Sequence, residues 1–137
     1  MDGRSSSGTL QGLGGTFRCR CAHCDALLGA AALRDIGYHF PPSDPQYKGI
    51  DSKILLARVM ELVRSQGYEL GNIDATIAAE QPKLNPHIPD MQRVLAEVIQ
   101  VEVSDISLKA TTTEKLGFTG REEGISAYAV ALLIAAV

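Results

Sequence analysis

"NIDATIAAEQPKLNPHIPDMQRVLAEVIQ", residues 72–100, changes its hydrophobic period partway along. Ile73, Ala75 and Ile77 alternate with Asp74 and Thr76, the two-residue repeat of a strand with one apolar face. "EQPKLNPHIPD" then carries three prolines, which lack the N–H that a ladder or helix interior needs, so it reads as a loop. Met91, Val94, Leu95, Val98 and Ile99 follow at helical spacing and predict an amphipathic helix over residues 90–100.

The same reasoning extends outward. Ile106, Leu108 and Ala110 alternate with Ser107, Lys109 and Thr111, which predicts a second strand. The tail "GISAYAVALLIAAV" fits strand or helix by period, and its Val and Ile content tilts it to a strand. Upstream, Asp51 or Ser52 can cap a helix reaching Ser65, with Leu55, Val59, Leu62 and Val63 on one side and Gly67 past its end. Residues 35–50, with prolines at 41, 42 and 45, read as a loop. Ala26 to Leu33 is apolar and helix-favouring, and the Gly- and Ser-rich residues 1–16 read as loosely attached. Helices alternating with strands predict an α/β (α+β) fold, a sheet with helices packed on one face.

The totals narrow the function classes. A length of 137 residues suits one domain with a real core. A net charge of −3 gives no drive toward nucleic acid or acidic membranes, and no Trp is available for base stacking. The longest apolar stretch, Ala127 to Val137, is too short to span a bilayer. Cys19, Cys21 and Cys24 are crowded together with no distant cysteine to pair with, which argues for a reducing compartment.

Four segments carry polar chemistry. In "KATTTEKLGFTGR" the hydroxyls of Thr111, Thr112 and Thr113, loop N–H groups and Arg121 can hold phosphate oxygens, and Glu114 can hold a divalent cation; the alternative is a polar turn in which the threonines cap backbone. "EQPKLNPH" sets Lys83 on a stiffened loop after a strand, a place for recognition of a flat ring or for an ordinary solvated connection. In "DIGYHF", Asp35 can accept from sugar hydroxyls while Gly37 permits close approach, or the segment simply ends a helix. "RCRCAHCD" offers soft metal donors, but ligands this close in sequence do not close a zinc site without a distant partner, so an incidental cluster is the competing reading.

Taken together, "DALLGAAALRDIGYHFPPSDPQYKG", "GYELGNIDATIAAEQPKLNPHIPDM" and "LKATTTEKLGFTGREEGISAYAVALL" resemble the 2-C-methyl-D-erythritol 2,4-cyclodiphosphate synthase family of non-mevalonate isoprenoid synthesis, from about Cys24 onward. The resemblance implies a homotrimeric lyase that cyclises 4-diphosphocytidyl-2-C-methyl-D-erythritol 2-phosphate and releases CMP, with Zn2+ and with Mg2+ or Mn2+. It implies that Asp35, Ile36 and Gly37 hold the sugar region, and that Phe40, Pro41, Pro42, Ser43 and Asp44 line the substrate. Ala79, Glu80, Gln81, Pro82, Lys83, Leu84 and Asn85 would form the cytosine pocket. Thr111, Thr112 and Thr113 would bind the phosphates and Glu114 the Mg2+, with Thr112 and Glu114 serving catalysis. Phe118, Arg121 and Glu123 would border a cavity on the trimer axis that takes an isoprenoid diphosphate, with Phe118 and Arg121 also reaching substrate. A small-molecule partner, no nucleic acid, no membrane and a bacterial cytoplasmic location are implied, with a plastid as the alternative location.

The first residues depart from that pattern. The family opens on a strand carrying an Asp-x-His pair of zinc ligands, and its third ligand is a histidine four residues before the aspartate of "DALLGA". Here Cys21 holds that position and His23 is out of phase, so these two are the remaining zinc candidates. "TFRCRC", residues 16–21, can be encoded by a string that reads His-Ser-Asp-Ala-Asp one nucleotide later, the family's missing loop. Residues 1–20 are therefore expected to lie outside the family domain, and 21–137 to form that domain without its first strand. The expected consequence is impaired cyclisation; the alternative is an inactive homologue that binds CDP or an isoprenoid diphosphate.

Overall fold

The computed structural model describes residues 15–81 and 83–136, with side chains from residue 22 onward. Its elements are α1 (Gly15–Ala30), α2 (Ile36–His39), α3 (Ser52–Ser65), β1 (Tyr68–Ala78), α4 (Ile88–Ile99), β2 (Ile106–Thr111), α5 (Gly117–Gly120) and β3 (Ser126–Ala135). Short 3-10 turns lie at Pro45–Tyr47, Asn85–His87 and Val103–Asp105.

The three strands form one mixed sheet in the order β2-β1-β3. β1 runs parallel to β2, with Ile73 opposite Ile106 and Ala78 opposite Thr111. It runs antiparallel to β3, with Ile73 opposite Ala131 and Ile77 opposite Ala127. Pleating sends Ile73, Ala75, Ile77, Ile106 and Leu108 to one face, and all five are buried. Against them pack Leu27 and Leu28 of α1, Leu56, Val59, Met60 and Val63 of α3, and Leu95 and Ile99 of α4. The expected arrangement, helices on one face of a sheet, is the one observed.

Local chemistry explains the boundaries. Asp51 caps α3, its side chain accepting from the Lys53 N–H at 2.9 Å. α1 stops at Ala30 and not at Leu33, where the apolar run ends. The Leu33 N–H reaches back to the Leu28 carbonyl at 2.8 Å and that of Ala32 to Gly29 at 3.0 Å, with Ala32 left-handed at φ 57°. That is a Schellman end built on alanine where glycine is usual, so no residue type announces it. The loop expected over residues 35–50 contains α2 and one 3-10 turn. β1 starts at Tyr68, four residues before the alternation at Asn72, because a bulge between Leu70 and Asn72 breaks its period.

Leu28 is wholly buried where α1 crosses the sheet. Leu28→Ala is expected to cost about 2–5 kcal/mol of unfolding free energy, read by chemical denaturation. A loss under about 1 kcal/mol would mean that α1 does not pack as described.

The opposite face of the sheet divides in two. Across β1 and β2 it is polar, and the Lys109 ammonium lies 3.0 Å from Asp74 Oδ2, which holds the Asp74 carboxyl below its ordinary value. On β3 it is apolar, with Tyr128, Val130, Leu132 and Ile134 between 51% and 74% exposed.

Candidate functional site

β1 and β2 end side by side at Ala78 and Thr111, and the Ala79 N–H extends their ladder to the Thr111 carbonyl at 2.9 Å. The chain leaves both strands from this one edge, in the loops 79–87 and 112–116. Crevices beyond the carboxyl ends of parallel strands are where open α/β sheets bind ligands. Here that crevice is a cavity of about 150 Å³ lined by Ala79, Lys83, Leu84, Asn85, Ala110, Thr111 and Thr112.

The local sequence makes this hollow. Ala79 and Ala110 are the small side chains at the two strand ends, and Leu84 is buried beneath them and anchors the loop. Lys83 and Asn85 on either side of Leu84 remain exposed, so a cation and an amide stand at the rim. The volume is below the ~300–1,000 Å³ of drug-sized sites, so it suits one flat ring or one phosphate and not a whole nucleotide.

The threonine loop beside it is held from several directions. The Thr113 hydroxyl donates to the Leu116 carbonyl at 2.7 Å. Glu80 Oε1 accepts from the Thr113 N–H at 3.2 Å and the Lys115 N–H at 2.9 Å. Glu114 and Lys115 are both left-handed, at φ 53° and 65°, a costly pair for residues with side chains. Gly120 of α5 backs the loop so closely that a Cβ there would fall 2.1 Å from the Lys115 carbonyl carbon.

Of the expected site residues, Ala79, Lys83, Leu84, Asn85, Thr111 and Thr112 meet at the cavity, with Ala110 added. Glu80 engages the threonine loop backbone, Gln81 is exposed on the same turn, and Pro82 lies outside the described residues. Thr113 and Glu114 follow directly on the loop. Residues 35–44 do not line this cavity. Asp35 stands before α2 without capping it, and Asp25 of α1 takes that role by accepting from the Ile36 N–H at 2.9 Å. Gly37 follows within α2, and Pro41 to Asp44 form a turn closed by the Asp44 N–H to the Pro41 carbonyl. Asp44 caps the next turn through the Gln46 N–H, and Phe40 packs edge-on against Tyr47 at 5.3 Å. Phe118 is 50% exposed, and Arg121 makes a bidentate pair with Glu123 at 3.0 and 3.2 Å.

The roles of Ala110 and Gly120 were missed by sequence reasoning. The signal for Ala110 is a small residue ending a strand opposite another small residue. For Gly120 it is a glycine three residues after Gly117 in a tight helical turn.

His23 is wholly buried on the core side of α1, next to the buried Cys24, while the Cys21 side chain lies outside the described residues. No three His, Cys, Asp or Glu side chains converge on one point among the described residues. No helix among them is long and apolar enough to cross a membrane.

The sequence profile of the YgbB family matches residues 19–134. The chain belongs to the YgbB family. A 2-C-methyl-D-erythritol 2,4-cyclodiphosphate synthase of Porphyromonas gingivalis strain W83 is 99% identical over 116 residues, covering 85% of this chain and 72% of the relative. A solved 2C-methyl-D-erythritol-2,4-cyclodiphosphate synthase in a CDP-bound form shares 33% identity at a TM-score of 0.77, over 84% of this chain and 74% of that one. A Plasmodium falciparum IspF–CDP complex shares 30% identity at the same TM-score of 0.77, over 88% of this chain and 72% of that one. The YgbB match begins inside α1.

Proposed function

We propose that the crevice at the ends of β1 and β2 is the CDP site of a 2-C-methyl-D-erythritol 2,4-cyclodiphosphate synthase. The single observation that carries this is the cavity itself, a ring-sized hollow that opens beside three consecutive threonines. The cytosine enters between Ala79 and Ala110, against Leu84. The diphosphate then lies over Thr111 to Thr113, where the Thr112 hydroxyl can donate to it, those of Thr111 and Thr113 being given to the Thr112 and Leu116 carbonyls, while Lys83 supplies a charge at the rim. The family's reaction joins an oxygen of the substrate's own 2-phosphate to the β-phosphorus. The bond from that phosphorus to the bridging oxygen breaks, and CMP leaves with the oxygen. No protein nucleophile enters, so this chain's part is to hold the two phosphates in line.

Glu114 fits a Mg2+ role, since that ion is commonly held by one or two carboxylates together with substrate phosphates. Bound there, the ion would neutralise diphosphate charge. Zinc does not fit the described residues by themselves, because no three donors among them converge. The proposal is therefore a protein whose nucleotide half is assembled and whose cyclisation is slow. Asp35 and residues 40–44 remain the proposed contacts for the sugar end. The exposed apolar column Tyr128, Val130, Leu132 and Ile134 is the surface we assign to the family's homotrimer, with Phe118, Arg121 and Glu123 at its axis.

Ala110→Leu tests the pocket. The larger side chain fills the hollow, and CDP affinity measured by calorimetry is expected to fall at least about tenfold while the fold persists. Unchanged affinity would place the nucleotide elsewhere.

A further inference from the structure

We propose that Glu80 is a positioning residue that straps the threonine loop to the base pocket, so that its carboxylate shapes the diphosphate seat without touching the nucleotide. This rests on the CDP reading above and deepens it. Three observations carry it.

The first is the reach of the side chain. Glu80 is the second residue beyond β1, yet its Oε1 accepts from the N–H groups of Thr113 and Lys115 in the loop beyond β2, at 3.2 and 2.9 Å. One oxygen thus spans the two loops that leave the parallel strands. The second is the shape it holds. Glu114 and Lys115 sit in the left-handed region at φ 53° and 65°, and consecutive residues there persist only where surroundings over-determine them. The other restraints are local to the loop and its flank: the Thr113 hydroxyl on the Leu116 carbonyl, the Leu116 N–H on the Thr113 carbonyl at 3.0 Å, and the long 3.4 Å approach of the Glu114 N–H to the Thr112 hydroxyl. The third is what Glu80 does not do. It is absent from the cavity lining, where its neighbours Ala79 and Lys83 both appear.

A carboxylate beside an anion site is otherwise unfavourable, because like charges repel. Its presence makes sense if its charge is spent on two backbone donors. In return it fixes the path of residues 113–115, and with it the place of the Thr112 hydroxyl beside the proposed phosphate seat. Base recognition and phosphate recognition are then mechanically joined: seating the ring against residues 79–85 steadies the carboxylate, and the carboxylate steadies residues 113–115.

The test compares Glu80→Ala and Glu80→Gln with the unsubstituted chain in two readouts. In the first, amide hydrogen exchange at Thr113 and Lys115 is expected to speed up at least about tenfold in Glu80→Ala. In the second, the Kd for CDP is expected to rise about tenfold, while that for cytidine, which has no phosphate, stays within about twofold. Glu80→Gln keeps an acceptor oxygen and is expected to restore both readouts to near their original values. That rescue separates loss of the strap from general misfolding. Equal weakening of CDP and cytidine would overturn the proposal, because Glu80 would then contact the base. Unchanged exchange with unchanged CDP affinity would overturn it as well. If the unsubstituted chain binds neither ligand, the CDP reading itself falls and the strap's role falls with it. That result is distinct from failure of the strap alone, in which the unsubstituted chain binds CDP and Glu80→Ala binds it equally well.

Discussion

Supplied with the CDP-linked substrate, Mg2+ and Zn2+, the chain is expected to release CMP at least about a thousandfold more slowly than the Porphyromonas gingivalis synthase. Over the matched 116 residues the two are 99% identical, so the nucleotide pocket and the threonine loop cannot account for a difference in rate. Such a difference would come from residues outside that match. A metal that polarises a phosphoryl oxygen contributes several kcal/mol of transition-state stabilisation, and about 4 kcal/mol corresponds to roughly a thousandfold. Among the described residues no three His, Cys, Asp or Glu side chains converge to hold such a metal. CMP release at the relative's rate would sink the impairment claim and would point to donors among the first residues.

The second large effect is expected at Gly120. An added methyl there would lie 2.1 Å from the Lys115 carbonyl carbon and 2.5 Å from its Cα, far inside van der Waals contact. Both are backbone atoms, so no rotamer change relieves the clash. Either α5 shifts or residues 113–115 do. Overpacking of this kind costs about 1–3 kcal/mol of stability, and the displaced loop carries the Thr112 hydroxyl with it. Gly120→Ala is therefore expected to unfold at lower denaturant and to bind CDP at least about tenfold more weakly, with cytidine affected far less. Normal CDP affinity in the Gly120→Ala protein would show that the loop geometry is irrelevant to binding. Gly117, left-handed at φ 68° with open space around its Cα, gives a contrast: there the cost of Ala comes from backbone strain and not from collision.

The sequence disclosed the fold where hydropathy contrasts one face with the other. Residues 106–111 alternate cleanly because Ser107, Lys109 and Thr111 face outward opposite Ile106, Leu108 and Ala110, and β2 has those very bounds. α3 was legible from the Asp51 cap and from its Leu and Val spacing. The tail was ambiguous for a physical reason. Ala127, Ala129, Ala131 and Leu133 face the helices while Tyr128, Val130, Leu132 and Ile134 face outward, so both faces of β3 are apolar and the two-residue period vanishes. The start of β1 was hidden by the bulge at Gly71, whose added Cβ would come within 3.0 Å of the Leu132 carbonyl oxygen.

The candidate site was legible as a set of residue types, because a proline-stiffened loop and a threonine run both follow strands. Which residues form the walls and which hold them was not. Glu80 falls within the segment expected to hold the base, yet its carboxylate is turned to the other loop's backbone. Arg121 was expected on a phosphate, while its guanidinium is paired with Glu123 two residues on. Such assignments depend on side-chain direction across two loops, which spacing along one chain does not encode.

The most direct test is a titration of the uniformly labelled chain with CDP in the presence of Mg2+, followed through backbone amide chemical shifts. The account predicts saturable shifts concentrated in residues 79–85 and 110–115, with cytidine moving the first group and leaving the second largely in place. Shifts that cluster elsewhere, or no saturable shift at millimolar CDP, would contradict the assignment of the nucleotide to the β1–β2 crevice.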